Sequence, residues 1–429
     1  MRTTLLHGGM VFDGTAGPPA RADVVIADGR FVEVGTGLDG DDHLDCSGMT
    51  LLPGLFDCHI HVTVSGVDPQ ARQHTPFSYQ FFQAAENLAK TLRLGITTAR
   101  DAAGADLGIK RALQDRLIAG PRLQIAIGLI SQTGGHGDGW LSSGHCIPLS
   151  LPHPGRPSAV VDGPEEMRKI ARTLLRAGAD VLKVCTTGGV LSPADDPRHS
   201  QFTPAELDVL VAEAAMQGRA VMAHAQGAEG IKNAVRAGIR SIEHGIYLDD
   251  EAIELMVAKK TWLVPTLIAP ISVIRAGDAG VAIPQAVLSK AKEVAEVHAD
   301  SVRRAHAAGV RIAMGTDSGV GPHGSNLEEL GLMRDCGMSP TEVLAATTSS
   351  AARLLGFGDS LGRIEPGYRA DVVMVRGDPF DLDNLAGNVA AVYQDGIAVV
   401  GGPAAPDAVG PADPPQAWRD AGSARRVVL

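Results

Sequence analysis

Eight short apolar runs, GLFDCHIH, GITTARDA, RLQIAIG, DVLKVC, AVMAHA, SIEH, TWLVPTL and RIAMGTD, follow one another between residues 54 and 317. Between them lie amphipathic stretches such as PFSYQFFQAAENLAKTLRLG, PEEMRKIARTLLRAGAD and PAELDVLVAEAAMQGR. Apolar runs that alternate with helical periods signal βα units and a parallel sheet. Eight such units predict a TIM (β/α)8 barrel over residues 53–362. The structural alternative is a doubly wound open sheet, but no G-x-G-x-x-G follows the first run, and polar residues gather at the ends of several different runs.

The flanks read differently. LLHGGMVFDG, ADVVIADGRFVEVG and MTLLPG before the first run, and LGRIEPGYRADVVMVRGDPF and VAAVYQDGIAVVGG after the last, are short alternating segments punctuated by Gly, Asp and Pro. They predict that residues 1–52 and 363–401 pair into one small β-sandwich domain. The segment 402–429, rich in Pro, Ala, Gly and Asp, has no apolar period and is expected to be a mobile tail.

A net charge of -11 opposes binding to nucleic acid or to anionic membranes. The five cysteines are scattered without a C-x-x-C pair, which fits a reducing cytoplasm better than a disulfide framework. Neither a signal-like apolar segment near Met1 nor a long uninterrupted apolar run is seen, so export and membrane insertion are disfavoured.

Polar residues at the run ends carry the chemistry. His59 and His61 stand at i and i+2, so in a strand both side chains point one way and can share an ion. Lys183 lies inside VLKVC with apolar neighbours on both sides, where a bare ammonium is costly unless paired or modified. His224, His244 and Asp317 end the fifth, sixth and eighth runs. Taken singly, each has an ordinary explanation as a polar strand end, a hydrogen-bonded core histidine or a helix cap. A barrel sets all six on one rim, and six unrelated explanations at one relative position are a poor account of them.

These residues resemble the amidohydrolase superfamily, with H-x-H after strand 1, a carboxylated lysine on strand 4, histidines after strands 5 and 6, and aspartate after strand 8. The flanks LLPGLFDCHIH and IEPGYRADVVMV are similar as well. GITTARDAAG, SQTGGHGDG, KVCTTGGVLSPADDPRHSQFT and AHAQGAEGIKNAVRAGIRSIEHG look like its metal-dependent prolidase and amino-acid amidase branch, related to imidazolonepropionase. The resemblance implies two divalent ions, usually zinc: His59, His61 and Asp317 on the buried one, His224 and His244 on the exposed one, and carboxylated Lys183 bridging. It further implies attack by a metal-bridging hydroxide, with Asp317 moving the proton to the leaving amine, and a homo-oligomer.

His136, in the glycine-flanked loop TGGHGDG, is expected to meet the substrate carbonyl oxygen. Arg198, His199, Tyr247 and His323 are candidates for binding a substrate carboxylate. One departure is HAQG, with Gln226 where several prolidase relatives carry tyrosine, which leaves proline preference open. The expected substrate is a small-molecule amide of an amino acid: a dipeptide, or an N-acyl or aromatic amino-acid amide of the ochratoxin kind. Competing readings keep the metals but change the substrate to a cyclic amide or imidazolone, a lactone or an organophosphate. A non-catalytic scaffold is disfavoured because every ligand position is filled.

Overall fold

The computed structural model describes residues 2–401 apart from 16, 69–73, 142, 149 and 193–194. The expected mobile tail lies outside the described residues. The chain is α/β, and a parallel strand falls within each of the eight apolar runs.

These strands form two parallel sheets rather than one uninterrupted ring. Leu55–Ile60, Ile96–Asp101 and Arg122–Ile125 make a three-stranded sheet. Leu129–Ile130, Val181–Cys185, Ala220–Ala225, Ser241–His244, Trp262–Val264 and Arg311–Ile312 make a six-stranded one. Backbone hydrogen bonds cross both seams. At one, the third run passes from the first sheet into the second through Ile127, whose φ of 67° interrupts the strand, and the Asp180 N–H still reaches Ile125 O at 2.8 Å. At the other, Cys58 N–H donates to Met314 O at 2.9 Å, and His61 N–H to Ser318 O at 2.7 Å.

Helices return the chain between strands and bury one face on them. The helix Pro340–Ala346 starts where Ser339 and Glu342 satisfy each other's free N–H groups, with proline at its first position. Ala228–Ala237 stops at Gly238, whose φ of 91° suits a residue without Cβ. Leu207 and Leu210, Ile231 and Val235, and Ile253 and Met256 turn inward from successive helices into one core that includes Leu182, Val221 and Ile242 from the strands.

Both ends of the chain share a further unit. Val372–Arg376 pairs antiparallel with Met49–Pro53 and with Val389–Gln394, placing the two termini in one six-stranded sheet. A four-stranded sheet built on Thr4–His7 and Asp23–Ala27 shares its core, where Leu6, Val24 and Phe31 meet Leu51, Val372 and Tyr393. Gly54 joins this unit to the first parallel strand. A Cβ there would fall 2.1 Å from Thr97 Oγ1 and 2.8 Å from Asp371 Cβ, so the turn after Pro53 accepts only glycine.

A charged junction holds the two units together. Asp371, almost wholly buried, takes both arms of the Arg122 guanidinium, which also reaches Asp395 at 2.8 Å. Removing the cation strands a buried carboxylate, so Arg122→Ala is expected to cost about 3 kcal/mol. Urea unfolding reads this as a lower midpoint, and an unchanged midpoint would contradict the role given to Arg122.

Candidate metal centre

The C-terminal ends of the parallel strands bring His59, His61, Lys183, His224, His244 and Asp317 to the wall of one cavity. Adjacent strands set the register: Cys185 stands beside His224, and Ala225 beside His244. His59 Nε2 lies 3.5 Å and His61 Nε2 3.2 Å from Asp317 Oδ1. Ligand atoms of His59, His244 and Asp317 all fall within 4.8 Å of one another. The His224 ring sits 4.7 Å from that of His244, centre to centre.

Each of the four histidines has one ring nitrogen engaged by the protein behind it, and His61 also hydrogen-bonds to Asp317 through the other. His59 Nδ1 meets Glu243 Oε2 at 2.8 Å, and His61 Nδ1 donates to Ala103 O at 2.8 Å. His244 Nδ1 meets Thr266 Oγ1 at 2.7 Å, and His224 Nε2 donates to Gly188 O at 3.0 Å. Carbonyl and carboxylate oxygens can only accept, so in neutral His59 and His224 they fix the tautomer and leave a lone pair on the opposite nitrogen, whereas the Thr266 hydroxyl can donate or accept and orients the His244 ring without fixing its tautomer. This is how protein surroundings orient metal-binding imidazoles. Glu243 is itself held by Arg100 at 2.9 Å and by the Ser241 hydroxyl at 2.5 Å.

Burial drives the pKa of His59, His224 and His244 well below the ordinary histidine value, so all three are neutral near pH 7, the form that binds metals. Burial also works against charge on His61 and on Asp317. Between these two, their mutual hydrogen bond and opposite charges outweigh it, raising the histidine and lowering the carboxyl. Lys183 is pushed down to about 8 by burial, against the pull of Glu243 and Asp317. Its Nζ has no hydrogen-bond partner among the described residues, although the side chain is buried.

Backbone strain gathers at the same place. His244, Thr266 and Asp317 have φ values of 74°, 53° and 57°, a region that non-glycine residues, above all β-branched ones, seldom enter. Asp57 helps hold Asp317 there. Its buried carboxylate accepts from His59 N at 3.1 Å, Thr316 N at 3.2 Å, Thr316 Oγ1 at 2.7 Å and Asn326 Nδ2 at 2.8 Å, tying the first strand to the last.

The cavity opens to solvent, and with the open space at its mouth it spans about 1260 Å³. His136 lines it, its ring stacked on that of His224 at 4.1 Å. Its Nδ1 lies 2.7 Å from Ser192 Oγ, which in turn hydrogen-bonds to Asp195, so Nε2 remains for a ligand. Gly189 makes room for this ring, since a Cβ would stand 2.2 Å from its Cε1. Gln226 is also on the wall, buried, with Oε1 unpartnered among the described residues.

The structure places the four other sequence candidates away from the cavity wall. Arg198 pairs with exposed Glu293 and lies over the Tyr247 ring, His199 is exposed, and His323 is buried behind His61, its Nε2 3.2 Å from His61 O. Sequence reasoning missed Glu243, Arg100 and Thr266. Glu243 and Arg100 carried the same signal as Lys183, charge inside a short apolar run; Thr266 carried none. Thr266→Ala should weaken divalent-metal affinity about ten- to a hundredfold by freeing the His244 ring, and Thr266→Ser should restore most of it. Competition with a chromogenic chelator measures this, and equal affinity in all three proteins would contradict it.

The amidohydrolase family model matches residues 50–399. The ochratoxinase of Aspergillus niger is 34% identical over 402 residues, which cover 89% of this chain and 82% of that protein. A crystal structure of a Xaa-Pro dipeptidase with methionine bound in its active site superposes with a TM-score of 0.85 at 34% identity, covering 93% of this chain and 100% of that one. A prolidase crystallised with N-methylphosphonate-L-proline gives a TM-score of 0.86 at 31% identity, with the same coverage of 93% and 100%. Family neighbours of this kind are typically TIM barrels with a β-sandwich domain, and they generally use divalent metal ions. The chain belongs to the amidohydrolase family and is a hydrolytic enzyme.

Proposed function

We propose that this enzyme hydrolyses an amide bond to an amino acid, using two divalent ions, with zinc as the expected metal. The observation that carries the reading is the set of four imidazoles, each held from outside through one ring nitrogen, around a buried lysine amine without a hydrogen-bond partner among the described residues. The donor set fits such ions: His59, His61 and Asp317 would hold one, His224 and His244 the other. Lys183 would join them as a carbamate, since an amine with its pKa lowered to about 8 is partly neutral at pH 7 and can add carbon dioxide. Carboxylation turns a cation with no partner into an anionic two-oxygen ligand.

When bound, the ions supply Lewis acidity and a nucleophilic water at neutral pH. The Asp317 carboxylate takes the proton of the attacking water and hands it to the leaving amine nitrogen. His136 presents Nε2 to the substrate carbonyl oxygen, with its ring held by Ser192 and by the stack on His224. Leu129, Val160, Leu191 and Ile246 keep the surroundings apolar, and Gln226 offers a neutral donor and acceptor to the substrate backbone.

Support for a linear amide comes from the relatives: an ochratoxinase, a dipeptidase with methionine and a prolidase with a proline phosphonate. The seam hydrogen bonds support reading the two parallel sheets as one (β/α)8 barrel over 53–362, beside a β-sandwich domain from 1–52 and 363–401. We place it in the cytoplasm as a homo-oligomer acting on small molecules, not on nucleic acid or membranes.

Chelation should abolish hydrolysis across a panel of N-acyl amino acids and dipeptides, and two equivalents of zinc should restore it. Asp317→Asn should lower kcat about a hundredfold or more. Turnover by metal-free protein would contradict the reading, and a preference above about tenfold for cyclic amides would turn it toward ring opening.

A further inference from the structure

Arg156 is among the largest fully buried side chains, and it lines the same cavity from the proline-rich loop LPHPGRP. Its Nε donates to Leu151 O at 3.0 Å, Nη2 to Gln80 Oε1 at 2.6 Å, and Nη1 to Gly104 O. All three acceptors are neutral. Among the described residues no carboxylate comes within ion-pair distance of the guanidinium, and Asp101 and Asp106 act on it only from further away. A guanidinium carries five N–H donors, so two remain beyond these three bonds.

A buried cation without a counter-ion is expensive. Joining three carbonyl oxygens does not require one, because a neutral amide donates to carbonyls without the cost of desolvating a charge. The three contacts do fix the plane of the fork, which matches a carboxylate in two parallel bonds. Around it the wall is apolar, with Leu129, Pro148, Pro152, Pro157, Val160 and Leu191. Arg198, in contrast, is neutralised at the surface by Glu293.

We propose that Arg156 is the anion anchor of the cavity: it binds the free α-carboxylate of the substrate's amino-acid portion, while the apolar side chain of that amino acid lies on the proline and leucine wall. This rests on the amide-hydrolase reading above and narrows it to amides of amino acids with an unblocked carboxyl group.

Two measurements on the zinc-loaded full chain separate this inference from that reading. Calorimetric binding of L-phenylalanine and L-phenylalaninamide tests the anchor without turnover. The wild type is expected to prefer the acid by about ten- to a hundredfold, as a charge-assisted pair gives. Arg156→Met should bring the ratio close to one, and Arg156→Lys, which keeps the charge but loses the fork, should fall between. If Arg156→Met does not fold, the wild type and Arg156→Lys decide alone. Equal binding of acid and amide by the wild type, or a preference unchanged in a folded variant, overturns the proposal. Turnover of N-acetyl-L-phenylalanine against N-acetyl-L-phenylalaninamide supplies the second arm. Hydrolysis of neither, with the binding preference intact, overturns the amide-hydrolase reading and leaves the anchor standing.

Discussion

Lys183 sets the terms for the whole site. The interior of a strand with parallel neighbours on both sides is one of the least favourable places for an amine, and among the described residues the nitrogen has no hydrogen bond to offset its burial. Hydrophobic packing of Leu182 and Val184 on the opposite face holds the strand in place and leaves Lys183 directed to the cavity side. The charge state of that nitrogen must then be settled inside the cavity, by a modification, by ions, or by both.

The surrounding layers act on the same problem. Glu243 fixes the His59 ring and is fixed by Arg100 and Ser241, so one buried carboxylate links the first, second and sixth apolar runs. Asp57 does the same between the first and last strands. Positive φ at His244, Thr266 and Asp317 stores strain that only well-packed neighbours can sustain, which accounts for the density of hydrogen bonds behind the candidate ligands.

Much of this was legible in the sequence because strand runs and helix periods are local signals. Eight of the nine parallel strands fall within the eight runs, and the polar residues inside and at the ends of those runs include the six that meet at the cavity. The path of the third run was less legible: its bend at Ile127 passes the chain between two sheets, and nothing in RLQIAIG announces it. Loop residues were hardest to read. Arg198 and Tyr247 fit a carboxylate site by type, yet they meet the exposed Glu293 carboxylate, while Arg156 hides in a proline-rich loop with no periodicity. Side-chain chemistry is readable from sequence, but which loop folds over the cavity depends on tertiary packing.

The central claim is that a modified Lys183 joins two ions among these side chains. It is tested most directly by a crystal structure grown with zinc and bicarbonate, with anomalous data at the zinc edge. The account predicts two anomalous peaks, one beside His59, His61 and Asp317 and one beside His224 and His244, with density for a carbamate extending from Lys183 Nζ between them. A single peak or none, with Lys183 an unmodified amine in a protein that turns over amides at full rate, would contradict it.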